Sequence, residues 1–243
     1  MKQVYFKINS NRRIAKNVFE MKLSGDTSGI ILPGQFVNIK LDGKFLRRPI
    51  SVCDYESGML TLIYKVVGSG TNQMSAMQPG SWLDVLTGLG NGFNGDESGE
   101  NPVLIGGGVG VPPMYKLAKE LIAEGKKVTV IMGFNEKDEV FYEQEFKDTG
   151  AEVYITTVDG SVGTKGFVTD VLGKLDYSYI YTCGPGPMLK AVYNISKTSG
   201  QFSFEERMGC GFGVCMGCTC KTKYGSKRIC ADGPVLEKEE IVW

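Results

Sequence analysis

The sequence predicts an antiparallel β-barrel, a parallel-sheet α/β domain and a cysteine-rich C-terminal segment, in that order along the chain. Short β-like runs separated by turn signals extend to about Gly90, and alternating apolar strands and helical segments follow them. Five of the seven cysteines then lie between Cys210 and Cys230. The expected domain boundaries are residues 1–98, 99–200 and 201–243.

The composition is that of a two-domain globular protein. The chain has 243 residues and is 42% hydrophobic, which is enough to bury two cores without disulfides. Its 27 basic residues balance 27 acidic ones, which argues against binding to nucleic acid or to an anionic membrane. The apolar runs are too short to span a bilayer and the Met1 to Ser10 start has no signal-peptide pattern, so we expect a cytoplasmic protein.

The chain contains no histidine, and this narrows its chemistry. The commonest general base is missing, together with the imidazole ligands of Rieske clusters, haem and most catalytic zinc. Catalysis must therefore use a cofactor or cysteine. An odd number of cysteines without a signal peptide favours reduced thiols or metal ligands over disulfides.

The barrel prediction depends on alternation and on turns. Polar and apolar residues alternate from Phe36 to Leu41, and a second β-like run extends from Leu60 to Lys65. Turn signals occur at Pro33-Gly34, Asp42-Gly43, Ser57-Gly58 and Pro79-Gly80. The polar stretch from Asn94 to Asn101 has no periodicity, so we expect the domain boundary or an exposed connection there.

Two short motifs inside the barrel favour binding of a phosphate-bearing ligand. Arg48, Pro49, Ile50 and Ser51 begin a predicted strand, where an arginine fork can hold a pyrophosphate and a serine hydroxyl can bond to a flavin. The second motif ends in Gly70 and Thr71 and precedes a short helix. Each is weak alone because arginines at strand ends are usually solvated, but the pair is more specific.

The second domain alternates strands and helices, which indicates a parallel sheet covered on both faces. The predicted strands are 103–105, 128–132, 153–158 and 179–182, and the predicted helices are 114–124 and 187–197.

Glycines follow the first of these strands, as in a dinucleotide-binding turn. They are Gly106, Gly107, Gly108 and Gly110. The pattern is not a full G-x-G-x-x-G, because Val111 holds the third glycine position. A tight strand-to-helix junction is the alternative, but it explains two glycines more readily than four. Cys183 and Gly184 follow the last strand, at the edge where open sheets bind ligands, although Cys183 is equally compatible with a core position.

The cysteine loop gives the strongest signal. Cys210, Cys215 and Cys218 have the C-x4-C-x2-C spacing, and the distant Cys230 completes the plant-type [2Fe–2S] pattern. A structural Zn(Cys)4 site is the alternative, but it normally consists of two separate C-x2-C pairs. Cys220 is a spare thiol in this pattern.

In this order the motifs resemble the ferredoxin reductase superfamily, which combines an FAD-binding barrel with an NAD(P)-binding domain. The Glu206 to Gly211 segment and its cysteines are similar to the electron-transfer subunit family of dihydroorotate dehydrogenase B, and the resemblance then spans the chain. It implies FAD bound by 48–51, by Ile63, Tyr64 and Lys65, and by Gly70 and Thr71. It also implies NADH over the Gly106 loop, Cys183 near the nicotinamide, and a [2Fe–2S] cluster on Cys210, Cys215, Cys218 and Cys230.

The same resemblance implies a partner, an FMN-containing catalytic subunit that oxidises dihydroorotate in pyrimidine biosynthesis. FAD would join the two-electron chemistry of NAD(H) to one-electron transfer through the cluster. Two alternatives remain: a ferredoxin:NAD(P)H oxidoreductase or sulfide dehydrogenase subunit, and a zinc-stabilised binding module that is not an enzyme. No arginine cluster follows the Val128 to Met132 strand, which favours NADH over NADPH.

Overall fold

A computed structural model describes residues 1–243. The N-terminal part is a closed six-stranded antiparallel barrel in the order β1-β2-β5-β4-β3-β6. Its strands are β1 (Lys2–Ala15), β2 (Val18–Ser24), β3 (Phe36–Ile39), β4 (Arg48–Glu56), β5 (Met59–Lys65) and β6 (Trp82–Leu89). This confirms the predicted barrel.

Alternation along the strands builds the barrel core. On β1 the side chains of Val4, Phe6 and Ile8 are buried and their neighbours are exposed, so one face of the strand lines the interior. Helix α1 (Ser69–Ser75) lies between β5 and β6 and places Met74 in the same core. Closure leaves no unpaired strand edge in this domain.

The second part is a seven-stranded sheet with helices packed against it, in the order β10-β9-β8-β7-β11-β12-β15. Its strands are β7 (Val103–Gly107), β8 (Thr129–Phe134), β9 (Glu152–Thr157), β10 (Thr164–Lys165), β11 (Ile180–Cys183), β12 (Gly200–Ser203) and β15 (Val235–Glu237); its helices are α2 (Pro112–Ala123), α3 (Glu143–Asp148), α4 (Val168–Leu172) and α5 (Gly186–Ile195). All neighbouring strands are parallel except β12 and β15.

The chain order creates a switch point between β7 and β11. From β7 the chain adds β8, β9 and β10 on one side, and it then returns to place β11 on the other side. Open α/β sheets bind ligands outside the carboxyl ends of the strands at such a point. Both predicted nucleotide motifs lie at the carboxyl ends of these two strands.

The C-terminal segment begins and ends in the sheet. Strand β12 pairs with β11, and β15 pairs antiparallel with β12 through Ser203 and Val235. Between them lie the cysteine loop and a hairpin of β13 (Thr219–Thr222) and β14 (Gly225–Arg228). Strands β12 to β15 have three or four residues each, too few for a periodic signal, so the sequence analysis did not predict them.

Charged and apolar contacts join the barrel to the α/β domain. Lys119 of α2 bonds to Asp54 of β4 at 2.7 Å, and the buried Glu20 accepts a hydrogen bond from the Tyr142 hydroxyl at 2.8 Å. One apolar cluster contains residues of both domains, among them Ile63 and Leu117. None of the helices is both long and apolar enough to cross a membrane.

Candidate functional site

The four predicted cluster ligands lie in two pairs. The Cys210 and Cys215 thiols are within hydrogen-bonding reach of each other, and so are those of Cys218 and Cys230. No set of three or more cysteine or acidic side chains surrounds a single metal ion. Two thiolates on each iron is the arrangement that an all-cysteine [2Fe–2S] cluster requires, so the pairs fit this group.

Backbone N–H groups point at the sulfur of Cys210. The amides of Phe212, Val214 and Cys215 approach its Sγ to 3.5, 3.3 and 3.5 Å. Burial raises the pKa of the Cys210 thiol, but these donors outweigh it and lower the pKa to about 6. The loop is therefore built to stabilise negative charge on sulfur, as a cluster ligand needs.

The two pairs differ in exposure. Cys218 and Cys230 are 2% and 1% exposed, whereas Cys215 is at the surface. Apolar side chains surround the outer pair at the surface, with Val214 74% and Met216 55% exposed. The site thus extends from the protein interior to an apolar part of the surface.

Asn38 of the barrel forms a hydrogen bond with the backbone of the cysteine loop. Asn38 lies on β3 opposite Pro49 of β4, and its Nδ2 donates to the carbonyl of Cys210 at 3.3 Å. Gly211 lies so close that a Cβ there would be 2.3 Å from the same Nδ2. Asn38 is 1% exposed, and its Oδ1 has no hydrogen-bond partner. The sequence analysis missed this residue, because a lone asparagine in a strand carries no motif.

The structure brings the two predicted flavin motifs together. A Cβ on Gly70 would be 2.3 Å from Nε of Arg48, so the missing side chain makes room for the guanidinium. Arg48 forms no ion pair, and its side chain donates hydrogen bonds only to the carbonyls of Leu46 and Arg47. A second cation, Lys44, bonds to Ser69 Oγ at 3.0 Å. Two cations beside a polar turn fit the pyrophosphate of FAD.

The other predicted flavin residues contribute unequally. Pro49, Ile50 and Ser51 are half-buried on β4, and no protein group bonds to the Ser51 hydroxyl. Thr71 instead shapes the turn, because its hydroxyl accepts the N–H groups of Val67 and Gly68 at 3.0 and 3.2 Å.

The side chains of the β5 motif are engaged within the protein. Ile63 is buried, the Tyr64 hydroxyl bonds to Asn11, and Lys65 pairs with Glu139 at 2.8 Å. A ligand would therefore meet mainly the backbone of this strand.

The glycines of the 106–110 loop mostly serve close packing. Gly106 and Gly107 are in β7 itself, one residue pair beyond the predicted end of the strand. A Cβ on Gly110 would be 2.1 Å from the carbonyl oxygen of Cys183, so this loop lies directly on the end of β11. Only Gly108 faces open space, with φ at +52°. The structure thus places the 106–110 loop next to Cys183.

The Cys183 thiol is neutral at physiological pH. Burial raises its pKa to about 12, although the Ser203 hydroxyl opposes this shift. Gly184 approaches Gly107, since a Cβ there would be 3.2 Å from the Gly107 nitrogen. The two strand ends together present backbone and one uncharged thiol, a surface that suits packing of a planar ring rather than a nucleophilic reaction.

Comparisons with known proteins identify two matching domains and the family of the chain. The iron-sulfur cluster binding domain of dihydroorotate dehydrogenase B matches residues 205–242, and an oxidoreductase NAD-binding domain matches residues 104–194. The electron transfer subunit of dihydroorotate dehydrogenase B (NAD(+)) from Geobacillus sp. (strain WCH70) is 45% identical over 256 residues, covering 100% of this chain and 99% of the relative. The chain belongs to this electron transfer subunit family.

Other relatives agree with the family assignment. The Fusobacterium nucleatum electron transfer subunit is 46% identical over 250 residues and covers 96% of both chains. A solved structure of an NADH-dependent reduced ferredoxin-NADP oxidoreductase, described for flavin-based electron bifurcation, superposes with a TM-score of 0.88 at 31% identity, covering 98% of this chain and 90% of that one. A Neisseria gonorrhoeae ferredoxin NADP+ reductase with bound FAD and NADP shares the fold, with a TM-score of 0.70 at 17% identity over 80% of this chain and 90% of that one.

Family membership confirms the predictions of an iron–sulfur cluster and of NAD(H). It excludes the alternative of a structural zinc site, because the matching C-terminal domain is an iron-sulfur cluster binding domain. FAD binding by the barrel remains a prediction. The individual ligand residues remain predictions, which the geometry above supports.

Proposed function

We propose that this chain carries electrons between NAD(H) and a partner FMN-containing subunit that oxidises dihydroorotate, through FAD held by the barrel and a [2Fe–2S] cluster held by Cys210, Cys215, Cys218 and Cys230. The observation that carries the proposal is the position of the cysteine loop. Its backbone bonds to Asn38, directly opposite Pro49 on the strand that begins with the flavin-clamping Arg48. The cysteine loop therefore lies next to β4, the strand proposed to bind the flavin.

The three binding regions form a continuous path through the chain. The 106–110 loop contacts strand β5 of the barrel. The proposed NAD(H) site therefore lies next to the barrel. Strand β4 then lies between β5 and β3, and Asn38 of β3 bonds to the cysteine loop. FAD in the barrel would supply hydride exchange with NAD(H), and a cluster on the four cysteines would supply one-electron transfer. The protein holds these groups in order and excludes water between them.

Individual side chains have separate tasks in this arrangement. Arg48 and Lys44 would hold the FAD pyrophosphate, and Ser51 would donate to the flavin ring from β4. Gly108 would admit the NAD(H) phosphates, while the neutral Cys183 packs against the nicotinamide. No residue of this chain would accept a proton from dihydroorotate, because that chemistry would belong to the partner.

The exposed surface around Cys215 would receive the partner. Val214 and Met216 are apolar and more than half exposed beside this ligand. A patch of this kind on a soluble protein typically marks an interface. The cluster would then lie where electrons leave or enter the chain.

The decisive experiment compares the isolated chain with the complex that it forms with the FMN subunit. The isolated, cofactor-loaded chain should reduce an artificial dye with NADH and should not oxidise dihydroorotate. The complex should reduce NAD+ with dihydroorotate. Dihydroorotate oxidation by the isolated chain would contradict the proposal.

A role with ferredoxin and NADP(H) is the second candidate, because of the bifurcating relative. The segment after β8 argues against NADPH. It contains no arginine, so it offers no guanidinium fork to a 2′-phosphate. Comparing NADH with NADPH in the same dye assay tests this point. We place the chain in the cytoplasm and keep 1–98, 99–200 and 201–243 as its functional units.

A further inference from the structure

The turn that carries Cys230 contains an ion pair that the electron path above does not use. Arg228 donates Nε and Nη2 to the two carboxylate oxygens of Asp232, each at 2.9 Å, and its backbone N–H bonds to the same carboxylate at 2.8 Å. The Arg228 carbonyl accepts the N–H groups of Ala231 and Asp232. The pair therefore closes a tight turn around Cys230.

The free arm of the guanidinium reaches the cysteine loop. Nη1 of Arg228 donates to the carbonyl of Gly213 at 2.8 Å. The N–H of the same Gly213 points at the Sγ of Cys230, at 3.1 Å. This is the shortest of the N–H to sulfur contacts in the loop. Gly213 is thus fixed on both sides, by the arginine and by the sulfur.

Asp232 connects this pair to the barrel. Its carbonyl accepts from Asn91 Nδ2 at 3.5 Å, and the adjoining Gly233 carbonyl accepts the Asn91 N–H at 2.6 Å. Arg228 and Asp232 form an ion pair of a guanidinium and a carboxylate, so opposite charges lie next to Cys230. One continuous set of bonds runs from the barrel through Asp232 and Arg228 to Gly213.

We propose that Arg228 is a positioning residue for the iron–sulfur cluster, which fixes the Gly213 N–H on Cys230 and sets the reduction potential with a positive charge that Asp232 partly balances. Hydrogen bonds to sulfur and net charge are two of the main determinants of such potentials. The inference rests on the proposed ligand set, because Cys230 must be a ligand for Gly213 to affect the cluster.

Opposite charge changes give opposite predicted shifts. Arg228→Gln leaves Asp232 as an unbalanced negative charge, so the cluster midpoint should move to a more negative potential. Asp232→Asn leaves the arginine unbalanced, so the midpoint should move to a more positive one. Loss of a partner next to a metal ligand typically weakens metal binding about 10- to 100-fold, so we expect about tenfold faster iron release to a chelator in Arg228→Gln.

The measurement is an EPR-monitored redox titration of the purified, cofactor-loaded chain, with iron release followed by absorbance. Lys221→Gln is the matched control, since Lys221 is an exposed residue of the same segment, has no side-chain bond and loses the same charge. It should leave midpoint, EPR signal and release rate unchanged. The FAD content should be equal in all variants.

Arg228→Lys covers the case in which Arg228→Gln does not retain iron. Lysine keeps the charge but loses the two-pronged bond to Asp232. It should retain a near-normal midpoint with faster iron release. Wild-type midpoints and release rates in Arg228→Lys and Asp232→Asn, or shifts of the same sign in Arg228→Gln and Asp232→Asn, would overturn the proposal. A wild-type chain without a [2Fe–2S] signal would instead reject the ligand assignment.

Discussion

Two glycine-rich loops of this protein look alike in sequence and do different work. In the 106–110 loop, glycine lets backbone segments touch, as where Gly110 lies on the Cys183 carbonyl. In the cysteine loop, glycines with left-handed φ, Gly211 at +81° and Gly213 at +90°, turn the chain so that N–H groups face sulfur. Glycine enrichment therefore indicates close approach of the backbone to another group. The surrounding residues show whether that group is another backbone segment or a sulfur.

The largest expected effect comes from removing a ligand in the second loop. Cys215→Ser should abolish the cluster, because three thiolates cannot complete two irons. FAD content and NADH-to-dye activity should remain, since both depend on other regions. Visible absorbance and EPR measure the first, and dye reduction measures the second. Simultaneous loss of flavin and cluster would show that the two regions are not separable.

The next effect comes from the packed glycine of the first loop. Gly110→Ala would place a Cβ 2.1 Å from the Cys183 carbonyl oxygen, so β7 and β11 must separate at this end. Overpacking of this kind costs about 1–3 kcal/mol, and NADH-dependent flavin reduction should fall with it. Thermal unfolding and stopped-flow reduction by NADH measure the two losses. The cluster EPR signal should not change.

Gly108→Ala is the matched variant for Gly110→Ala. Its Cβ would meet nothing within 4 Å, so only the left-handed backbone opposes it, at about 1–2 kcal/mol. Gly125→Ala carries the same type of strain at φ +85° in open space, away from both loops. NADH reduction should therefore fall in Gly108→Ala and not in Gly125→Ala. Equal effects would mean that Gly108 does not face the nucleotide.

Gly70 is a third kind of case, because its missing side chain makes room for the guanidinium of Arg48. Arg48→Ala removes a charge-assisted contact worth about 1.5–3 kcal/mol, so FAD should be retained about 10- to 100-fold less tightly. Flavin fluorescence after dialysis measures this. Arg13→Ala, at an exposed arginine of β1, is the control. Full flavin occupancy in Arg48→Ala would disprove the clamp.

The smallest effect should come from the spare thiol. Cys220 lies on β13, outside the two thiol pairs, and burial raises the pKa of its thiol. Cys220→Ser should leave iron content and the EPR signal at wild-type levels, in contrast to Cys215→Ser. A loss of iron would mean that Cys220 replaces one of the four predicted ligands.

Sequence reasoning reached the features that have a local pattern. Alternation predicted the barrel, apolar strands predicted the parallel sheet, and cysteine spacing predicted the cluster segment. It did not reach Asn38, Arg228 or Asp232, because their partners lie far along the chain or across a turn that no periodicity marks. It also treated Gly106 and Gly107 as loop residues, whereas packing against Val111 and Met188 keeps them in β7.

The strand pair that closes the sheet has a consequence for how the holoprotein is made. Ser203 and Val235 are paired across β12 and β15. Residues 204–234 therefore form one long loop whose two ends are held together by this strand pair. The entropy of closing that loop is compensated by the sheet, independently of the metal. Cluster assembly can therefore follow folding. The sheet can form before iron and sulfide bind to the 204–234 loop, and their binding does not require the strands to separate.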